Sequence, residues 1–181
     1  MTILTISGSL RERSFNSNLL RSAESLLPEG VNLTHATLQD IPLFNADVEA
    51  QGTPLAVTAL KQQIAEAHGV LIATPEYNFS YTGVLKNAID WASRAPVRPF
   101  MDKPVAVVGA STGNFGAVRA QTELRKLMHA VGAHVLPKPE LLVTQAASKF
   151  DEGGLLADEQ TRTIYRALLE KFALFITKLN N

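Results

Sequence analysis

The chain of 181 residues contains no cysteine. That absence removes disulfides, thiolate nucleophiles and sulfur-ligated metal sites together, and it is compatible with a reducing compartment. An excess of charge is missing as well. Lysine plus arginine equals aspartate plus glutamate at 17 each, and no block of like charge stands out. A chain that held nucleic acid or an anionic membrane surface would carry a basic footprint, so neither partner is expected. No apolar run approaches the roughly 18 residues of a membrane span, and the N-terminus MTILTISGS has no basic region ahead of its short apolar run. The expected address is the cytoplasm. His35, His68, His129 and His134 lack a ligand spacing such as HxxxH and no carboxylate cluster joins them, so no metal site is expected. A small molecule remains as the partner class.

What is present is enough apolar residue, 46%, for one full core, and residues 1–181 read as a single domain. Strand-like and helix-like segments alternate. Residues 2–6 form a buried strand pattern, 18–27 a helix ended by Pro28 and Gly30, and 31–38 a second strand. A long connection, 39–53, mixes the apolar anchors Ile41, Leu43 and Phe44 with acids and reads as a loop packed on the body. Residues 54–68 read as a helix and 69–74 as a continuous apolar strand of the kind buried in a parallel sheet. Helix 83–93, strand 105–110, helix 116–130, strand 133–136 and a closing helix from about 158 to 178 follow, with 146–154 as loop. Right-handed crossovers place such helices on both faces of the sheet. The expectation is an α/β three-layer sandwich with a five-stranded parallel sheet in the order 2-1-3-4-5. Its ligand crevice would lie beyond the carboxyl ends of strands one and three.

Three loops reach that crevice. The first, SGSLRERSFN at 7–16, joins the first strand to the first helix. Free N–H groups at a helix start, the positive end of the helix dipole, serine hydroxyls and the guanidinium groups of Arg11 and Arg13 together suit an anion. An ordinary capped turn would use the same serines. The loop lacks GxxxxGK followed by Ser or Thr, and it lacks GxGxxG, so neither a nucleoside triphosphate nor a dinucleotide pyrophosphate is signalled. A phosphate monoester suits it better. The second loop, PEYNFSYT at 75–82, interleaves Tyr77, Phe79 and Tyr81 with Asn78, which suits a flat polar ring beside that phosphate. The third loop is 111–115. Trp91 reads as a core or subunit contact, and Glu76 as a geometric or solvent-facing group and not a catalytic one.

GSLRERSFN after the first strand and TPEYNFSYTGVLKNAIDWAS after the third closely resemble the NADPH-dependent FMN reductase family, including its NAD(P)H quinone reductase and chromate reductase members. The resemblance runs from residue 3 to about 142, and the PEYN and LKNAIDW pair is highly specific. It implies a flavodoxin-like fold, FMN as cofactor, and NADPH or NADH as co-substrate. By this resemblance Ser9, Arg11, Ser14 and Asn16, with Phe15 adjacent, hold the FMN phosphate. Pro75, Glu76, Tyr77 and Asn78 lie along the isoalloxazine, and Ser111, Thr112 and Gly113 lie near the ring. No residue is assigned as acid or base, because flavin electronics carry the hard step. Family habit and the apolar segments 83–92 and 95–101 imply a homo-oligomer, a dimer or tetramer. Three functions compete: a hydride-transferring reductase of quinones, flavins, azo dyes or metal oxyanions; a flavodoxin-type electron carrier, which the zero net charge disfavours; and a phosphate-binding regulator.

Overall fold

The computed structural model describes residues 1–180, so Asn181, the last residue of the expected domain, lies outside the described residues. Its centre is a parallel sheet. Strand β1 (Thr2–Ser7) pairs on one side with β2 (Asn32–Ala36) and on the other with β3 (Gly69–Ala73), and β3 pairs with β4 (Pro104–Ala110). With β5 (His134–Val135) beyond β4, the order is β2-β1-β3-β4-β5, as the alternating pattern predicts. The fold is the expected flavodoxin-like sandwich.

One detail of the sheet differs. The fifth strand is divided: β5 (His134–Val135) pairs with the start of β4, and β6 (Leu141–Val143) pairs with its end. Pro137 and Pro139 between them lack the N–H that a continuous ladder needs.

Successive side chains of a strand point to opposite faces, and the two cores follow from that alternation. Ile3, Leu71, Ala106 and Val108 face α1 (Phe15–Ala23) and α6 (Glu159–Asn180), where they meet Leu19, Leu168 and Phe172. Leu4, Ile6, Val70, Ile72, Val105 and Val107 face the other way. They pack on Leu60 and Ile64 of α3 (Leu55–Glu66), Leu85 and Ile89 of α4 (Gly83–Ala92), and Leu124 and Met128 of α5 (Val118–Ala130). Each fully buried aliphatic side chain contributes about 1.5–3 kcal/mol, so the two layers together hold the sheet between helices. Among the described residues, no helix is long and apolar enough to cross a membrane.

Helix boundaries move for local reasons. Helix α1 begins at Phe15, earlier than its apolar periodicity indicates, because Ser14 caps it: Ser14 Oγ accepts from Asn16 N and Ser17 N. Helix α5 begins at Val118 and not at residue 116, because Gly116 and Ala117 both adopt left-handed backbone, with φ of 56° and 61°. A Cβ at Gly116 would come within 2.6 Å of the Leu142 backbone, so this turn also demands glycine for space.

The connection 39–53 contains a short helix, α2 (Ala46–Gln51), that the sequence pattern does not signal. None of its residues is buried, so no apolar period marks it; Asn45 starts it by accepting from Asp47 N at 2.8 Å. The preceding turn is packed on α4. Trp91 Nε1 and Asn87 Nδ2 both donate to the Pro42 carbonyl at 2.9 Å, and the Phe44 ring meets Trp91 edge-on at 4.8 Å. Trp91 is therefore a core residue, 1% exposed. The apolar residues Leu85, Ala88, Ile89 and Ala92 of α4 are buried within the chain as well, so a second copy is not needed to cover them. The expectation that segment 83–92 lies at a subunit contact loses that ground; Val97 and Met101 beyond it remain half-exposed.

Candidate functional site

The chain turns from α1 to the β2 side of β1, and every later strand lies on the other side, which opens a crevice at the carboxyl ends of β1 and β3. The first loop is held there at its start by two bonds of Gly8. Gly8 N donates to the Ala73 carbonyl at 2.8 Å, and Thr82 Oγ1 donates to the Gly8 carbonyl at 2.7 Å. A Cβ at Gly8 would come within 2.6 Å of Leu85 Cδ1, so the loop lies close against α4. Thr82, which no motif singled out, thus ties the first loop to the second while its hydroxyl caps α4 at Leu85 N. Its position one residue before the helical run was the available signal.

Ser9, Arg11, Ser14, Phe15 and Asn16 meet Pro75, Glu76, Tyr77, Ser111 and Thr112, together with Ala110, around a cavity of about 140 Å³. A more apolar groove of about 480 Å³ continues from it past Leu10, Thr82 and Val84, and shares Ser9, Arg11 and Tyr77. Asn78 and Gly113 do not line the cavity. Asn78 is exposed in the turn of the second loop, and the Gly113 carbonyl accepts from Gln145 N at 2.9 Å and Ser111 Oγ at 3.5 Å.

The serines divide into two kinds. Ser7 and Ser17 bond to each other, Oγ to Oγ at 2.8 Å, and frame the turn. Ser14 Oγ accepts two N–H groups and Ser9 Oγ accepts Arg11 N at 3.3 Å. Each of these last two hydroxyls keeps its own hydrogen to donate toward the cavity. Arg11 is exposed, bonds through Nη2 to the Arg13 carbonyl at 3.2 Å, and has no carboxylate within ion-pair distance among the described residues. Asn16 is different: its amide is committed on both sides to the backbone of Ala110.

The second loop is a tight hairpin. Tyr77 N and Ser80 O, and Ser80 N and Tyr77 O, bond at 3.0 and 3.1 Å, with Asn78 and Phe79 at φ of 50° and 66°. Two left-handed central residues make this a type I′ turn. Glu76, just before it, is turned away from acid–base work. Its Oε2 accepts from Arg119 N at 2.9 Å and Ala120 N at 3.3 Å at the start of α5, and its Oε1 accepts from Arg119 Nη1 at 3.0 Å. Burial alone pushes the Glu76 carboxyl up, but the bonds from Arg119 and Ala120 and the Arg119 charge outweigh it and hold the carboxyl below its ordinary 4.5. Arg119 is the other residue that sequence reasoning missed. An arginine in a helical pattern looks like a solvated face, and only the fold brings it to Glu76.

The family model of NADPH-dependent FMN reductases matches residues 1–148. The chain belongs to that family. An NAD(P)H-dependent FMN reductase of Pseudomonas aeruginosa is 46% identical over 177 residues, covering 98% of this chain and 96% of that protein. A quinone reductase of Escherichia coli is 38% identical over 182 residues, covering 99% and 97%. Among solved structures, FerB, a flavoenzyme NAD(P)H:(acceptor) oxidoreductase from Paracoccus denitrificans, superposes with a TM-score of 0.90 at 34% identity, covering 98% and 97%.

The residues of this FMN reductase family member fit the group the family name implies. Two hydroxyl hydrogens, one guanidinium free of carboxylates and the start of α1 converge on one cavity, and that donor set matches a phosphate monoester. The adjoining apolar groove supplies the surface a flat ring requires.

Proposed function

We propose that this protein is an FMN-dependent NAD(P)H oxidoreductase that moves hydride from NADPH or NADH, by way of FMN, to quinones or similar acceptors such as flavins, azo compounds and metal oxyanions. One observation carries the reading: the serine–arginine loop after β1 and the PEYN hairpin after β3 line the same cavity at the topological switch point. The names of the relatives, an FMN reductase and a quinone reductase, support the same chemistry.

Bound FMN supplies the hydride-accepting and hydride-donating chemistry, and the protein supplies binding and orientation. Arg11 neutralises the phosphate, and Ser9 and Ser14 donate to it. Phe15 packs beside them, and Asn16 docks the loop on β4. Pro75, Glu76 and Tyr77 of the second loop and Ser111 and Thr112 of the third line the cavity and would hold the ring, with Asn78 and Gly113 beside them in the same two loops. Glu76 is bonded to the start of α5 and to Arg119, so it serves as a strut and takes no proton in the reaction. The reading further includes a single domain, a cytoplasmic location and a homo-oligomer, dimer or tetramer, which sedimentation of the purified chain tests.

The deciding experiment is steady-state oxidation of NADPH and NADH by the purified protein with a quinone and without any redox partner protein. Flavin absorbance in the protein together with sustained turnover is the expected result. Flavin absorbance with turnover only when a partner protein is added would replace this reading with that of an electron carrier. A colourless protein that binds no FMN on titration would end both.

A further inference from the structure

Arg119 lies at the centre of a cluster that no motif of the sequence includes. Its guanidinium carbon is 4.4 Å from the centroid of the Phe79 ring and 4.5 Å from that of Phe115, so the cation lies against two aromatic faces. The same side chain bonds Glu76, and Glu76 also receives the Arg119 and Ala120 N–H groups. Phe79 belongs to the second loop, Phe115 to the third, and Arg119 to α5.

Both sides of the cluster contain left-handed backbone, at Phe79 in the second loop and at Ala117 between the third loop and α5. Phe79 has φ 66° and Ala117 φ 61°, conformations that non-glycine residues avoid unless neighbours hold them. A phenylalanine in the second position of a type I′ turn is a poor local choice. The cluster compensates for it, because the Phe79 ring gains the face of Arg119, and Arg119 is in turn held by Glu76 three positions before Phe79. The hairpin is thereby closed on itself through α5. Among the described residues, none accepts a bond from the N–H of Glu76 or Asn78, so the hairpin also presents unspent backbone donors.

We propose that Arg119 is a positioning residue of the flavin site, which fixes the second loop against the third and so sets the orientation of the backbone groups that meet the isoalloxazine. The inference rests on the flavin reading of the cavity. It places Arg119 on the ring end of the ligand and gives it no part in phosphate binding.

The test uses the full chain with Arg119→Ala and, separately, Phe79→Leu, each titrated with FMN and with riboflavin. Both changes should loosen FMN and riboflavin by the same factor, on the order of fivefold to fiftyfold for Arg119→Ala. The visible flavin absorption band should move relative to wild type, and thermal stability without flavin should fall by less than the flavin affinity does, because Arg119 is partly exposed and the backbone N–H groups of positions 119 and 120 still bond Glu76. Arg119→Lys, which keeps the charge but not the planar contact with both rings, should recover only part of the affinity. Wild-type affinity and spectrum in Arg119→Ala would overturn the inference and leave the flavin reading intact. A loss of affinity matched by an equal loss of flavin-free stability would overturn it too, as the residue would then be only structural. Failure of the wild-type chain to bind either flavin would overturn the reading and the inference together.

Discussion

Asn16 and Ala110, which lie 94 positions apart, exchange a pair of hydrogen bonds: Asn16 Nδ2 donates to the Ala110 carbonyl at 3.0 Å, and Asn16 Oδ1 accepts from Ala110 N at 2.9 Å. The amide thus extends β4 as a neighbouring strand would, and it fastens the first loop to the sheet from which the third loop departs. Asn16 is 3% exposed, so removing its amide leaves two buried backbone groups without partners. Asn16→Leu should cost about 1–3 kcal/mol for each group left unpaired. Asn16→Asp, which keeps an acceptor for Ala110 N–H, should cost less at a pH where the acid is protonated. Urea unfolding of the two variants measures both, and an unchanged midpoint in Asn16→Leu would mean the pair contributes nothing.

The sheet order was legible because β1, β3 and β4 are short continuous apolar runs, each followed by a helix, and that pattern admits few topologies. The three loops were legible for the same reason, since the order of strands decides which loops share an end. The Glu76–Arg119 bond and the Asn16–Ala110 exchange were not, because each joins residues from segments distant in the chain and neither residue type announces its partner. Asn16 reads in the sequence as a donor to the ligand, and only its geometry shows that one amide N–H and the amide oxygen are engaged by Ala110. Helix α2 stayed hidden because a helix that buries nothing has no apolar period to detect.

Arg11 and Arg13 stand two positions apart in the first loop, but only Arg11 lines the cavity; Arg13 faces a separate polar cleft with Asn18, Arg21 and Asp151. Arg11→Ala should therefore weaken FMN binding by about 1.5–3 kcal/mol, the scale of a hydrogen bond to a charged group. That is roughly tenfold to a hundredfold in affinity. Arg13→Ala should change it little. Riboflavin, which has no phosphate, should bind both variants as it binds wild type. A parallel loss of riboflavin affinity in Arg11→Ala would place this arginine elsewhere than at the phosphate.

The Glu76 carboxyl has its folded pKa below the ordinary value, so the native state binds its proton less readily than the unfolded chain does. Its contribution to stability is then full above about 4.5, the ordinary value, and is lost as pH falls through the folded value below it. Glu76→Gln lacks this titration and should be less stable than wild type at neutral pH. The gap between the two melting temperatures should narrow as the pH is lowered beneath 4.5. A gap that stays constant from pH 7 to the acid limit would show that the ionised form of Glu76 is not what binds the start of α5.

Tyr165 is fully buried in α6, in the core layer that includes Leu168, Leu169 and Phe172, and its hydroxyl has no hydrogen-bond partner among the described residues. Burial pushes its phenol pKa up, which keeps the group neutral but does not relieve its lost hydration. A buried donor without a partner costs about 1–3 kcal/mol, while the ring itself contributes packing that phenylalanine keeps. The contrast is Trp91, equally buried but bonded through Nε1 to the Pro42 carbonyl. Tyr165→Phe should therefore leave stability unchanged or raise it by up to about 1–3 kcal/mol. In a chain of this size each kcal/mol moves the melting temperature by roughly 2–4 °C, within reach of a calorimetric scan. A lower melting temperature in Tyr165→Phe would mean that the hydroxyl is satisfied in solution by an ordered water, and that the core layer between β1 and α6 contains a polar site.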